Sequence, residues 1–237
     1  MEQRTKKTLK EIVSALPDNF TFTAHTGCMN TKANSLDSIV TGINCGAAVV
    51  EFDLHIIEEG NAVLSHYKPV GGDVPLEEAL SKIAGYDDIL VNVDVKPHTS
   101  LQQIVTAAEK ENMLKRIFYT GIEEVKVPTV KETSPGVSYY LNMKVKNPLF
   151  HSSKYIESLI ATVKKTGAVG INFNKRSASQ KLVDAFHEAG LLVSIFTVDK
   201  EKEMLRILHL CPDNITTRNP DKLNKILKEN GYVRNLK

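Results

Sequence analysis

Apolar residues along the chain fall into two alternating kinds of block. The first kind is short and rich in β-branched and aromatic residues: "FTFTAH" (20–25), "AAVVEFDLH" (47–55), "ILVNVDVK" (89–96), "RIFYTG" (116–121), "VSYYLNMK" (137–144), "VGINFNK" (169–175), "LLVSIFTVD" (191–199) and "DNITT" (213–217). These eight read as strands. The second kind spaces its apolar residues three and four apart. "SLDSIVTGINCG" puts Leu36, Ile39, Val40 and Ile43 on one helical face and ends in Gly46. "PLEEALSKIAG" has Pro75 at the first helical position and stops at Gly85. "TSLQQIVTAAEKEN" opens on Thr99 or Ser100 as N-cap. "SASQKLVDAFHEAG" has Ser177 as cap and Gly190 as terminator. "DKEKEMLRILHL" and "PDKLNKILKEN" keep the same period. After the fourth strand, Pro128 and Pro135 leave room only for a short or broken helix.

Strand–helix alternation with near-continuous apolar strands predicts a parallel sheet covered by helices. Eight such units in 237 residues predict one closed (β/α)8 TIM barrel over 1–237, rather than an open doubly wound sheet. No G-x-G-x-x-G follows the first strand, which disfavours a dinucleotide fold. Within residues 1–19, the amphipathic "LKEIVSAL" (9–16) is expected to form a helix capping the barrel bottom.

Polar residues gather where such a barrel carries its chemistry, at the C-terminal strand ends. His25 ends the first strand. Glu51, Asp53 and His55 share one face of the second by period two, as do Asn92, Asp94 and Lys96 on the third. The residues between them, Val50, Phe52 and Leu54, then Val91, Val93 and Val95, form the helix-facing layer, so the carboxylates must face the axis. Uncompensated carboxylates there are costly. Two compensations fit: a hard cation, Mg²⁺ or Ca²⁺, on the oxygen donors, or a buried ion-pair network with Lys96.

Composition narrows the rest. A net charge of +2, with no Lys/Arg run interleaved with aromatics, argues against nucleic acid. Cys28, Cys45 and Cys211 fit no zinc spacing and cannot all pair. They read as reduced thiols of a cytoplasmic protein. No stretch approaches a membrane span, and no apolar run near the start suits a signal region.

These residues carry a resemblance. "HTG" (25–27), "ANS" (33–35), "EFD" (51–53), His66 in "LSH", "VPLEEAL" (74–80), "DVK" (94–96), "FTVD" (196–199) and "DNITTRNP" (213–220) stand in the order of the glycerophosphodiester phosphodiesterase motifs. The chain resembles that family from 20 to 220. The resemblance implies that Glu51 and Asp53 ligate a metal, with Asp94 where the family has glutamate. It implies His25 and His66 as acid and base, Lys96 facing the phosphate or steadying Asp94, and His55 near the substrate or behind the ligands. The implied partner is a small glycerophosphodiester, split to an alcohol and glycerol 3-phosphate.

The pattern departs in places. The family's arginine is Thr26 here, and the glutamate of its Glu-Asn-Thr is Ala33. Only "YKPVGGD" separates His66 from the next helix, where family members carry a sizeable insertion. With the arginine gone, another cation must share the phosphate charge, and Lys68 or Lys144 is expected to do so. The alternative functions are a weakened relative that binds a phosphorylated ligand, or an unrelated barrel enzyme, such as a sugar-phosphate lyase or isomerase, with Lys96 or Lys144 as its Schiff-base lysine.

Overall fold

The computed structural model describes residues 7–57, 61–96, 100–146 and 148–233. Its strands are β1 (Thr21–Ala24), β2 (Val49–Ile56), β3 (Ala62–Leu64), β4 (Val74–Pro75), β5 (Leu90–Val95), β6 (Ile117–Ile122), β7 (Ser138–Asn142), β8 (Gly170–Asn174), β9 (Leu192–Phe196) and β10 (Asn214–Thr217). Its helices are α1 (Leu9–Ser14), α2 (Leu36–Asn44), α3 (Leu76–Ala84), α4 (Gln102–Lys110), α5 (Val127–Thr133), α6 (Ser153–Thr166), α7 (Gln180–Glu188), α8 (Glu201–Leu208) and α9 (Pro220–Glu229).

The parallel order β1-β2-β5-β6-β7-β8-β9-β10 returns to β1, whose Thr21 faces Asn214 on one side while Thr23 faces Val49 on the other. This is the closed (β/α)8 barrel that the alternation predicts, and all eight of its strands overlap the predicted blocks. The layer between sheet and helices is apolar: Phe52, Val91, Val93, Phe173, Val193, Ile195 and Ile215 are fully buried. Burial of each such side chain contributes about 1.5–3 kcal/mol.

The sequence reading names neither β3 nor β4. They form an antiparallel extension on β2, with Leu54 facing Leu64 and Leu64 facing Val74. That extension delivers His66 to the barrel mouth. The longest helix, α6, is also missing from the sequence reading; its signals are the Ser152 cap and Gly167 in the left-handed conformation. Three caps differ from expectation. Pro75 is the N-cap of α3, one position earlier than expected. The N-cap of α4 is Leu101, with Ser100 accepting from the amide of Gln102; Thr99 lies outside the described residues. Ser179, not Ser177, caps α7, because the Ser177 hydroxyl donates to Val145 carbonyl oxygen instead. The proline-rich segment does form a short helix, α5, with Pro128 in its first turn. At the start of the chain, α1 packs against α8 and adds Ile12 and Val13 to the core. Among the described residues, no helix is long and apolar enough to cross a membrane.

Candidate active site

At the C-terminal ends of the strands lies a cavity of about 240 Å³. It is lined on one side by His25, Glu51, Asp53, His66, Asn92, Asp94 and Thr120, and on the other by Asn142, Asn172, Phe196, Thr197, Thr216 and Arg218. Strand parity turns Glu51 and Asp53 inward from β2, and the register sets Asp53 directly beside Asp94 of β5. One oxygen from each of Glu51, Asp53 and Asp94 lies within 4.8 Å of the others.

The loop after β1 holds this cluster in place. The amide of Thr26 donates to Glu51 Oε2 at 2.8 Å. Asn34 adopts a left-handed backbone, which asparagine tolerates better than most residues. Its side chain thereby turns onto β2, where Nδ2 donates to Asp53 Oδ2 at 3.0 Å and Oδ1 accepts from the Asp53 amide at 2.9 Å. Thr26 Oγ1 accepts from the amide of Asn34 and fixes that turn. On the far side of β5, Thr120 donates to Asn92 Oδ1 at 2.9 Å and lies 3.3 Å from Asp94 Oδ1. A shift of register in β6 between Tyr119 and Ile122 contains Gly121, at φ 77°. A Cβ on Gly121 would come within 2.5 Å of both Asp94 Oδ1 and the Val95 carbonyl oxygen.

The charges are unevenly compensated. Lys96 Nζ bridges Asp53 Oδ1 at 2.5 Å and Asp94 Oδ2 at 2.7 Å. Although burial pushes Asp53 up, hydrogen bonds from Lys96 and Asn34 and the lysine charge hold it below the usual carboxylate range. Burial lowers Lys96, but Asp94 and Asp53 outweigh it and keep the ammonium charged. Among the described residues, no lysine pairs with Glu51. Burial pushes it up to about 7, Asp53 and Asp94 push the same way, and His25 opposes them. His25 Nδ1 is 3.6 Å from Glu51 Oε2 and 2.8 Å from the Thr26 carbonyl oxygen. His66 stacks edge-on with Tyr67, ring centroids 4.6 Å apart.

His25, His66, Glu51, Asp53 and Asp94 thus meet in one cavity, as the motifs predict. The other expected site residues do not line it. Thr26 is buried, its hydroxyl bonded to Asn34 and its amide to Glu51. His55 Nδ1 lies 3.3 Å from the Ser65 carbonyl oxygen, higher on β2 than the carboxylates. Lys96 is held by the acids and borders an adjoining cavity with Gly121, Glu123 and Lys126. Lys68 and Lys144 are exposed loop residues. The cavity's arginine is one that the sequence reading overlooks, Arg218, whose amide and Nη1 donate to Asp199 at 2.8 and 3.2 Å. Asn172 is also overlooked as a site residue. It donates to Asn142 Oδ1 at 3.0 Å, and its own buried Oδ1 has no partner among the described residues.

Neither a protein-family model nor a curated protein matches the chain. Solved structures do. A protein from Silicibacter pomeroyi named as a glycerophosphoryl diester phosphodiesterase is 16% identical, with a TM-score of 0.77 over 91% of this chain and 95% of its own. A glycerophosphodiester phosphodiesterase from Parabacteroides distasonis is 19% identical, with a TM-score of 0.73 over 91% and 100%. A phosphodiesterase from Oleispira antarctica, solved in complex with the product sn-glycerol-3-phosphate, is 18% identical, with a TM-score of 0.71 over 92% and 99%. Over nearly its whole length, the chain has the fold of these phosphodiesterase structures.

Proposed function

We propose that the chain is a phosphodiesterase that hydrolyses a glycerophosphodiester to an alcohol and glycerol 3-phosphate, with Glu51, Asp53 and Asp94 holding a divalent cation, Mg²⁺ or Ca²⁺. One observation carries this: three carboxylates within 4.8 Å of one another share a cavity with two imidazoles. The donor set is all oxygen and stays net anionic after Lys96 is counted, which fits a hard cation. The fold shared with the glycerol 3-phosphate complex from Oleispira antarctica supports the choice of substrate.

A bound cation would supply Lewis-acid polarisation of a phosphoryl oxygen. The remaining work belongs to side chains of the chain. His25 enters from β1 and His66 from the β2 extension, so two proton carriers flank the cavity. One takes the proton of the attacking hydroxyl; the other returns a proton to the leaving alkoxide as the P–O bond breaks. The attacking group is water or the adjacent glycerol hydroxyl, which would give a cyclic phosphate that water then opens. Arg218 takes over the phosphate-binding role expected of Lys68 or Lys144, because it is the arginine at the cavity wall. Asn172 Oδ1 accepts a hydrogen bond from a substrate hydroxyl, which satisfies an otherwise unpaired buried acceptor. Lys96, held charged, keeps Asp53 and Asp94 in place and is unsuited to forming a Schiff base.

The test is release of glycerol 3-phosphate from glycerophosphocholine, with Mg²⁺ or Ca²⁺ and after exhaustive chelation. Metal-dependent release is expected. A second reading, binding of a phosphorylated ligand without turnover, draws on the uncharged Thr26 where the motif carries arginine. Glycerol 3-phosphate binding without release under any metal would favour it.

A further inference from the structure

Single exposed apolar residues are ordinary on a protein surface; their placement is what carries information. Among the described residues, the exposed large hydrophobics are Met29, Tyr67, Val70, Val125 and Leu149, together with Val233. Met29 follows β1, Tyr67 and Val70 lie between β3 and β4, Val125 follows β6, and Leu149 follows β7. In a parallel barrel these are all connections at the C-terminal mouth. Val233 lies past the end of α9, at the opposite end. Tyr67 and Val70 are 78% and 96% exposed, so neither is covered by the chain itself.

Charge divides along the same axis. The connections at the mouth carry Lys32, Lys68, Lys144, Lys146, Arg176 and Lys200, all exposed, against Asp73, Glu123, Glu124 and Asp199. Two of those acids are already paired, Glu124 with Lys165 and Asp199 with Arg218. The connections at the other end carry Asp18, Asp87, Asp88 and Glu111 against Lys115 and Arg116. A chain of net charge +2 therefore presents a basic, apolar-tipped mouth among its described residues.

We propose that the mouth docks on an anionic lipid surface: the lysines meet the headgroups while the side chains of Tyr67, Val70, Val125 and Leu149 enter the interface. Separate loop tips, rather than one groove, suit a fluid surface that conforms to them, and the surrounding lysines specify its sign. Docked this way, the cavity opens toward the surface, and a diester held there reaches the carboxylates without crossing bulk water. Surface docking stands apart from the hydrolysis proposed above, and binding alone tests it.

The chain contains no tryptophan, which supplies a clean reporter. Val70→Trp and, separately, Val233→Trp are mixed with vesicles of equal parts phosphatidylcholine and phosphatidylglycerol, and with phosphatidylcholine alone. The expected result is sedimentation with the mixed vesicles, at least tenfold weaker with phosphatidylcholine, and a blue-shifted emission for Val70→Trp only. Each lysine adds about fivefold to partitioning, so Lys144→Glu with Lys146→Glu should weaken it about twentyfold or more. Lys115→Glu, at the far end, should leave it near its original value. Circular dichroism of each variant verifies the fold. Absence of sedimentation with mixed vesicles overturns the proposal. So does a blue shift at Val233→Trp in place of Val70→Trp, or a loss with Lys115→Glu equal to that with the mouth lysines.

Discussion

The two sides of the barrel mouth are made of different chemistry. On the side of β1, β2 and β5, His25, Glu51, Asp53, Asp94 and Lys96 are buried or half-buried and bonded to one another. On the side of β7 to β10, Asn142, Asn172, Thr197 and Thr216 are neutral, with Arg218 at the rim. The first side concentrates a negative field that only a cation or a proton relieves. The second can bind hydroxyls at little electrostatic cost. On the proposed function, charge and proton handling belong to one wall and substrate recognition to the other, so substitutions on the first should fall on turnover and those on the second on KM.

The sharpest test is removal of the charged wall. Chelation, or Glu51→Gln, should lower glycerol 3-phosphate release by about 10³-fold or more, the scale of several kcal/mol of lost charge stabilisation. Unchanged turnover after chelation would collapse the contrast. Next are the histidines: His25→Ala and His66→Ala should each cost about 10²–10⁴ in kcat. Near-normal turnover of His66→Ala would leave the β2 extension without a chemical role.

The charged wall also predicts a pH dependence of stability. Glu51 keeps its proton to about 7 when folded and releases it near 4.5 when unfolded. Between those values the folded chain binds the extra proton, so stability without divalent metal should fall as pH rises, by about 3 kcal/mol. Denaturant titrations across that window should show the slope, and Glu51→Gln or added Mg²⁺ should flatten it. Asp53 works in the opposite sense at lower pH, where protonation below its normal range removes its pairing with Lys96.

The neutral wall predicts smaller effects. Arg218→Ala should raise KM about tenfold to a hundredfold, the worth of a hydrogen bond to a charged group, with kcat less affected. Lys68→Ala should leave KM for a small soluble diester within about twofold, since an exposed lysine outside the cavity contributes little. The smallest effect is expected far from both walls. His187 Nε2 lies 2.9 Å from Asp213 Oδ2, a buried carboxylate that also accepts from the Val193 amide. His187→Ala should thus lower stability by about 1 kcal/mol and leave turnover intact. The pairing depends on α7 lying beside the start of β10, which the sequence does not show.

Much of this was legible in the sequence for one physical reason. Strands buried on both faces need apolar side chains on the helix-facing layer, so a charge at every second position of β2 and β5 must point to the axis. Parity alone therefore places Glu51, Asp53 and Asp94, and the motif adds His25 and His66. Arg218 is harder to find, because a connecting segment has no period from which to read direction. Its signal is a lone arginine directly after the last strand, in a chain with threonine at position 26. Lys68 and Lys144 lie off the cavity wall for the same reason: sequence distance from a strand end does not say whether a loop leans inward. Asn172 is legible as a strand-end residue, but its unpaired oxygen appears only once Asn142 is beside it.

Gly121 shows where tolerance to change should end. It has no side chain to bind, donate or titrate, yet a methyl at its Cα would strike Asp94 and the Val95 backbone together. In a saturation library selected for turnover, this position should be as intolerant as the carboxylates, alanine included, while its neighbour Thr120 accepts serine. Selection would thus mark a silent glycine and a cavity-lining aspartate as one unit, because the space denied to the first is occupied by the second.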